Sequence, residues 1–519
     1  MEIEHGIDNE GLLSGGEQRA LRVEKLEKTR SAGYDPFSVE KYHRTHMAET
    51  LANKDAEHWG LDEAERKTLV FSIAGRVTSY RSKGKVIFFD LSDESGRVQV
   101  YARKDDLSDE NFGQLMDVDL GDYMGIEGFP FITRTGEPTL HALSVKLLAK
   151  ALRPVPTGKI DSEGHIHGGL SDREQRYRQR YLDLLANPDS KEQLIKRCRI
   201  VSSMRRFLDS KGFLEVETPV LQVEAGGAAA RPFLTHHNAL NYDFKLRISL
   251  ELYLKKLIIG GLEKVYEIGR VFRNEGISTR HNPEFTLMEL YQAYANLEDI
   301  MELVEEMYEA ICVDVNGNSH FEYKGQLIDL SNRPWKRLPM LDGISEYAGI
   351  KPEELTSLED GLRACERVQV SFDYSKETSL GGLIEKLHEV YTQPNLIQPT
   401  FITDFPVETS PLAKRHPGNP QIARRFEIYI ATQELGNAFS ELNDPIEQRA
   451  RFENQLLQRE AGDDEAHPMD EEFIEAMEYG MPPTGGLGIG IDRLAMTLTE
   501  AASIRDVILF PLMRPHKSN

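Results

Sequence analysis

The chain has 519 residues, with 62 Lys and Arg against 85 Asp and Glu, for a formal charge of −23. This balance excludes a generally basic nucleic-acid binder but leaves room for a local basic face, and 40% apolar residues over a length of about three domains exclude general disorder. Three scattered cysteines (Cys198, Cys312, Cys365) without a CxxC pair argue against a zinc site or disulfide framework. An acidic N-terminus, and no apolar run near the ~20 residues of a membrane span, predict a cytoplasmic protein with no membrane partner.

In chain order, residues 1–64 read as a helical extension. An exposed amphipathic helix is expected from about Glu17 to Ser31, and a second from about Val39 to Asp62. The hydrophobic period then drops to two. Runs at Thr68–Gly75, Val86–Leu91, Arg97–Tyr101, Tyr123–Gly128 and Ser144–Leu148 predict five short strands, a small β-barrel of the OB type over residues 65–155. Between Arg66 and Gln99 seven cations face three anions, a local basic face on which a phosphate-bearing partner can dock. Phe88 and Phe89 beside it either offer stacking platforms for bases or fill the barrel.

Residues 156–175 form a linker, in which His165 and His167 read as solvated rather than metal-bound. From 176 to 519 the pattern is one large α and β domain. It opens with a helix at about Ser190–Ser210, whose apolar stripe is Leu194, Ile195, Cys198, Val201, Met204 and Leu208, and a strand Phe213–Thr218 follows. A largely helical insertion spans about 330–395.

Three segments carry chemistry together that none carries alone. Gly212–Pro219 is a helix–strand junction. Val265–Glu275, a loop, and Glu284–Tyr291 read as a strand and a returning strand; Arg273 and Glu275 project together on the first, and Phe285, Leu287, Glu289 and Tyr291 also share one face on the second. A cation, an aromatic ring and carboxylates therefore converge, as a phosphate and a purine would require, although an Arg–Glu surface pair would give the same pattern. Gly485–Arg493 alternates glycine with isoleucine, which leaves one strand face bare either for a ligand or for packing, and Arg493 stands at the helix junction. No GxxxxGK[ST] loop occurs, so arginines on a sheet would have to hold any triphosphate. In Arg425–Glu441, Glu427 and Glu434 lie in an apolar setting and need partners, such as a magnesium ion arriving with a nucleotide, while Asn437, Phe439 and Glu441 alternate onto one face.

Assembled, these segments make the chain resemble the class II lysyl-tRNA synthetases of bacterial type, from about Leu21 to the C-terminus. The resemblance implies an α+β protein: an OB-fold that binds the tRNA anticodon, and a catalytic domain with a six-stranded antiparallel sheet flanked by helices. It implies a homodimer built on Gly212–Pro219, with ATP, lysine and lysine tRNA as substrates and no DNA partner. By the same resemblance Arg273 and Arg493 are catalytic, and ATP is held by Arg273, Glu275, His281, Phe285, Glu427 and Arg493. Mg²⁺ falls to Glu427 and Glu434. Lysine falls to Glu251, Glu289, Tyr291, Asn437, Phe439 and Glu441, and the anticodon to Arg76, Phe88 and Gln99. The sign of the pocket agrees, since an ammonium on a four-carbon stem asks for carboxylates and an aromatic wall, whereas aspartyl or asparaginyl synthetases would need a cation or amide. A protein-lysylating relative and a non-catalytic binding module are the other readings. The sequence departs from the family pattern at Ala438, where glycine is expected, at Leu250, where proline is expected, and in the length of the Thr157–Gly169 linker.

Overall fold

The computed structural model describes residues 15–156, 159–160, 166–167, 169–460 and 466–515; His165 lies outside them. It divides into two compact units, Met1–Ser171 and Asp172–Asn519.

In the first unit the opening helix α1 (Gly15–Ser31) is less exposed than its charge suggests, because Arg22 and Leu26 are buried. The Arg22 guanidinium donates to the carbonyls of Leu120, Ala151 and Arg153 at 3.0, 3.1 and 3.3 Å. The second expected helix does not form. Residues 39–62 contain a five-residue helix, Ala48–Ala52, and a single 3-10 turn, Glu57–Gly60. Tertiary bonds outcompete local helix here. The amides of Thr45 and His46 donate to Ser72 O, Asp93 accepts from the Ala48 amide, and Tyr42 packs where a side chain at Gly125 would stand.

Five strands close into a barrel: β1 (Phe71–Lys83), β2 (Val86–Ser92), β3 (Arg97–Arg103), β4 (Tyr123–Ile132) and β5 (Pro138–Ala149), in the order β1-β2-β3-β5-β4. Alternation sends Ile73, Val77, Ile87, Phe89, Leu91, Val98 and Val100 inward. Of the two roles open to Phe88 and Phe89, Phe89 takes barrel filling, at 1% exposed, whereas Phe88 points outward. Beneath the barrel's end, the buried ammonium of Lys150 bridges Asp119 (2.5 Å) and Asp122 (2.7 Å).

In the second unit two short helices, Arg173–Arg178 and Arg180–Ala186, precede the longer α2 (Pro188–Ser210). Leu194, Ile200, Met204 and Leu208 are its buried apolar side chains, while Ile195 and Cys198 of the expected stripe are exposed. The expected strand after it shrinks to β6 (Leu214–Glu215). Helix α3 (Glu251–Ile259), strands β7 (Lys264–Phe272) and β8 (Glu284–Ala293), and helix α4 (Leu297–Asn316) follow. Asn296 caps α4 by accepting from the Asp299 amide, worth about 1 kcal/mol, and Gly317 ends it at φ 80°. After a cis Arg333-Pro334 bond come β9 (Lys336–Pro339), β10 (Thr400–Thr403), β11 (Arg425–Ile430), β12 (Gln433–Ser440), β13 (Thr484–Gly490) and helix α5 (Ile491–Leu498). Between β9 and β10, helices Met340–Ala348, Leu358–Val368 and Leu380–Leu387 surround a core of their own.

The sheet has eight strands, in the order β9-β10-β11-β12-β13-β8-β7-β6. The six inner strands are antiparallel as expected, but β9 and β6 add a parallel strand at each edge, so the sheet is mixed. Both edge strands are too short to show a period in sequence. One sheet face packs on α2, α4 and α5 through Met288, Leu290, Ile428, Ala438, Leu487 and Ile489. Period-two geometry therefore commits the alternate residues to the other face, where the site lies.

Candidate functional site

This second face, covered in part by α3, forms the floor of a cavity of about 990 Å³. Strand register aligns two rows of residues across it. In one, Glu289, Gly488, Asn437 and Glu427 are successive partners on β8, β13, β12 and β11; in the other they are Tyr291, Gly486, Phe439 and Arg425. All of these except Glu427 line the cavity, as do Glu251, Arg273, Glu275, His281, Phe285, Glu434, Glu441 and Arg493. The structure thus brings together every catalytic-unit residue singled out in the sequence, with Glu427 set just behind the wall.

At one end stand three buried carboxylates. Glu289 accepts from the Ser249 hydroxyl at 2.9 Å, the Leu250 amide at 3.0 Å and the Tyr291 hydroxyl at 3.2 Å. Burial, then the charge of Glu251, pushes its carboxyl up to about 7 despite those donors. Leu250, the departure from the expected proline, thereby supplies an N–H that proline could not. Burial also raises Glu251, and carries Glu441 up to about 8 with Glu251 adding to the rise. Ala438, the other departure, packs in the core beneath the sheet and does not touch the pocket wall.

The Gly-rich strand does both things its pattern allowed. A Cβ at Gly486 would lie 2.0 Å from Glu441 Oε1 and 2.6 Å from the Tyr291 ring, so glycine there is a packing requirement. At Gly488 the nearest atom would be Glu289 Cγ at 3.6 Å, which leaves the backbone open to the cavity.

At the other end the groups are cationic and aromatic. The Arg273 guanidinium lies 5.1 Å from the Phe285 ring centroid, and its Nε donates to Ile248 O at 3.3 Å. Neither Arg273 nor Glu275 lies in a strand, since β7 ends at Phe272; a bond from the Arg273 amide to Pro283 O holds that stretch against the returning chain. Arg493 projects from the first turn of α5, donates to Glu434 Oε2 at 3.0 Å and lies 3.4 Å from His281 Nε2. Burial and Arg493 lower the His281 pKa, which keeps the ring neutral at pH 7. Glu434 is raised by burial and by the charge of Glu427, whose own oxygens accept from Arg425 (2.6 Å) and Tyr429 (2.7 Å). A buried carboxyl raised in this way beside a second carboxylate would suit a divalent cation.

Sequence reasoning passed over several residues. Arg425 lines the cavity, 4.1 Å from the Phe405 ring. Gly227, at φ 87°, brings backbone against Ser249 and Glu251, where a Cβ would lie 2.9 Å from the Ser249 hydroxyl. Lys255 was legible only through its spacing of four from Glu251 on one helix.

In the first unit Arg76 donates to Gly121 O and to the Tyr123 hydroxyl, each at 2.8 Å, with its guanidinium 4.3 Å from the Tyr123 ring. Gln99 accepts from Thr139 at 3.0 Å. Phe88 begins an aromatic strip on the outer barrel face. Tyr101 lies 5.1 Å from Phe88, His141 lies 4.9 Å from Tyr101, and Phe129 lies 4.6 Å from His141. This strip was not apparent in sequence because its members come from four strands.

An arginine-lined sheet floor without a P-loop, joined in one chain to an OB barrel, is the architecture of a class II synthetase. Residues 172–514 match the family of class II tRNA synthetases (D, K and N), and the chain belongs to it; residues 71–148 match the OB-fold nucleic acid binding domain. Among similar proteins, a lysine–tRNA ligase of Bacillus subtilis is 50% identical over 498 residues, 96% of this chain and 97% of that protein. One from Staphylococcus saprophyticus is 51% identical over 501 residues, covering 96% and 98%, and one from Pelotomaculum thermopropionicum is 50% identical over 497 residues, covering 96% and 95%.

Proposed function

We propose that the protein is a lysine–tRNA ligase, which condenses lysine with ATP to lysyl-adenylate and pyrophosphate and then passes the lysyl group to the 3′ end of lysine tRNA. The observation that carries this reading is the polarity of the cavity, with Glu251, Glu289 and Glu441 buried at one end and Arg273, Phe285 and Arg493 at the other.

Lysine lies with its ammonium groups among the carboxylates and its stem along Tyr291 and Phe439, with Asn437 beside it. Its carboxylate faces the α-phosphorus of ATP. Adenine stacks on Phe285, Glu275 and His281 hold the nucleotide, and Arg273 and Arg493 take the charge of the α- and terminal phosphates. A carboxylate oxygen attacks phosphorus, the bond to the bridging oxygen breaks, and pyrophosphate leaves. The nucleophile is already ionised, so the step needs no general base, and alignment plus charge stabilisation suffice. Glu427 and Glu434 would hold a Mg²⁺ arriving with the triphosphate, which would supply further neutralisation of phosphate charge. The tRNA 3′-terminal hydroxyl then attacks the activated carbonyl and releases AMP.

Arg76, Phe88 and Gln99 read the anticodon from the outer barrel face by stacking and hydrogen bonding. Exposed apolar side chains at Leu214 (53%), Val223 (52%) and Leu234 (71%) support a homodimer whose interface includes this stretch. No helix among the described residues is long and apolar enough to cross a membrane, and the three cysteines are unpaired, which supports a cytoplasmic setting.

The test is amino-acid-dependent exchange of pyrophosphate into ATP across a panel of amino acids, followed by charging of purified tRNAs. Lysine-dependent exchange with charging of lysine tRNA is expected. Exchange without tRNA charging would transfer the reading to a protein substrate, and no exchange would leave a binding module.

A further inference from the structure

The reaction above makes no use of a cation that stands behind the three carboxylates. Lys255 lies on α3 one turn after Glu251, and its side chain is fully buried. Its ammonium is 2.5 Å from Oε1 of Glu251 and 2.5 Å from Oε2 of Glu441, and 5.9 Å from the Tyr291 ring centroid. The two acids line the cavity and Lys255 does not, so it reaches them from the protein side.

This placement sets both the charge and the shape of the pocket end. With all three acids ionised, Lys255 compensates one of three negative charges, and the two left over equal the ammonium groups that lysine carries. It also occupies one oxygen of each distal carboxylate, leaving Oε2 of Glu251 and Oε1 of Glu441. Both Glu441 oxygens are buried without a hydrogen bond from the described residues; Oε2 is compensated by its ion pair with Lys255, whereas Oε1 has no such partner, a costly arrangement unless a ligand donates to it. Two single oxygens from different carboxylates suit a compact ammonium with three rotatable donors. A guanidinium fork instead requires both oxygens of one carboxylate in a plane.

Resting on the lysine reading, we propose that Lys255 is a specificity-determining residue. By holding one oxygen of Glu251 and one of Glu441 from behind, it shapes the pocket end for an ammonium and denies arginine its bidentate partner.

The test compares wild type with Lys255→Met and with Lys255→Met/Glu441→Gln. The double variant removes the cation together with one anion, so the pocket is not left with added charge. Pyrophosphate exchange is measured with lysine and with arginine, each across a range of ATP concentrations. Both variants are expected to lose about tenfold or more of the wild-type kcat/KM preference for lysine over arginine, with lysine KM raised and ATP KM within about twofold. An unchanged preference in a folded variant, lysine and ATP KM rising together, or failure of both variants to fold would make Lys255 a scaffold residue and overturn the proposal. Absence of lysine-dependent exchange in wild type would instead refute the ligase reading itself.

Discussion

Lysine binding should be strongly pH-dependent, because the pocket's acids hold protons that the substrate must displace. Glu289 titrates near 7 and Glu441 near 8, both raised first by burial. In the unliganded fold a carboxyl raised from 4.5 to about 7 binds more protons than its unfolded counterpart between those values. Its contribution to stability is therefore present in acid and is lost as the pH rises through that window, by ~3 kcal/mol for Glu289 alone. Lysine reverses the preference, since its ammonium groups favour the ionised acids and binding expels protons. Below about pH 7 each unit should cost roughly tenfold in lysine affinity for one such group and more where both titrate together, because the midpoints belong to the coupled cluster. Calorimetric titration of lysine from about pH 6 to about pH 8.5, in buffers of different ionisation enthalpy, counts the protons released. Affinity that is level across this range with no proton release would refute the reasoning, because the acids would then be ionised before lysine arrives.

Gly486→Ala should raise lysine KM with little change in ATP KM, as the new methyl displaces Glu441 and Tyr291 at 2.0 and 2.6 Å, and should cost about 1–3 kcal/mol in denaturant unfolding. Phe88→Ala should leave pyrophosphate exchange intact while weakening tRNA binding by about 1–3 kcal/mol, read as a raised tRNA KM in charging. Lys150→Met leaves the buried Asp119 and Asp122 without their shared cation and should destabilise the barrel unit by about 3–5 kcal/mol, followed by its melting transition.

Local pattern was enough wherever a residue's role depends on its own strand. The alternation of Leu287, Glu289 and Tyr291 against Met288 and Leu290 separates cavity from core without any knowledge of partners, because side chains on a strand can take only two sides. The same rule supplied the barrel strands and the face shared by Asn437, Phe439 and Glu441. It failed at residues 39–62, where helical spacing was overridden by bonds to β1 and by Asp93, and at the two short edge strands. It also left open whether Phe88 or Phe89 faces out, since both are apolar and only the closure of the barrel decides which one is buried.

Spacing in the sequence thus determined the two kinds of unit, and its resemblance to the synthetase family implied the inner antiparallel strands and the sign of the substrate end. Only the tertiary structure decided which acids share a cation, which glycine is needed for packing and which lies open, and that Leu250 offers an amide to Glu289. Those depend on distances between atoms far apart in the chain, set by register across several strands and by burial. No local periodicity encodes them, because the energies involved arise only once water has been excluded from the pocket.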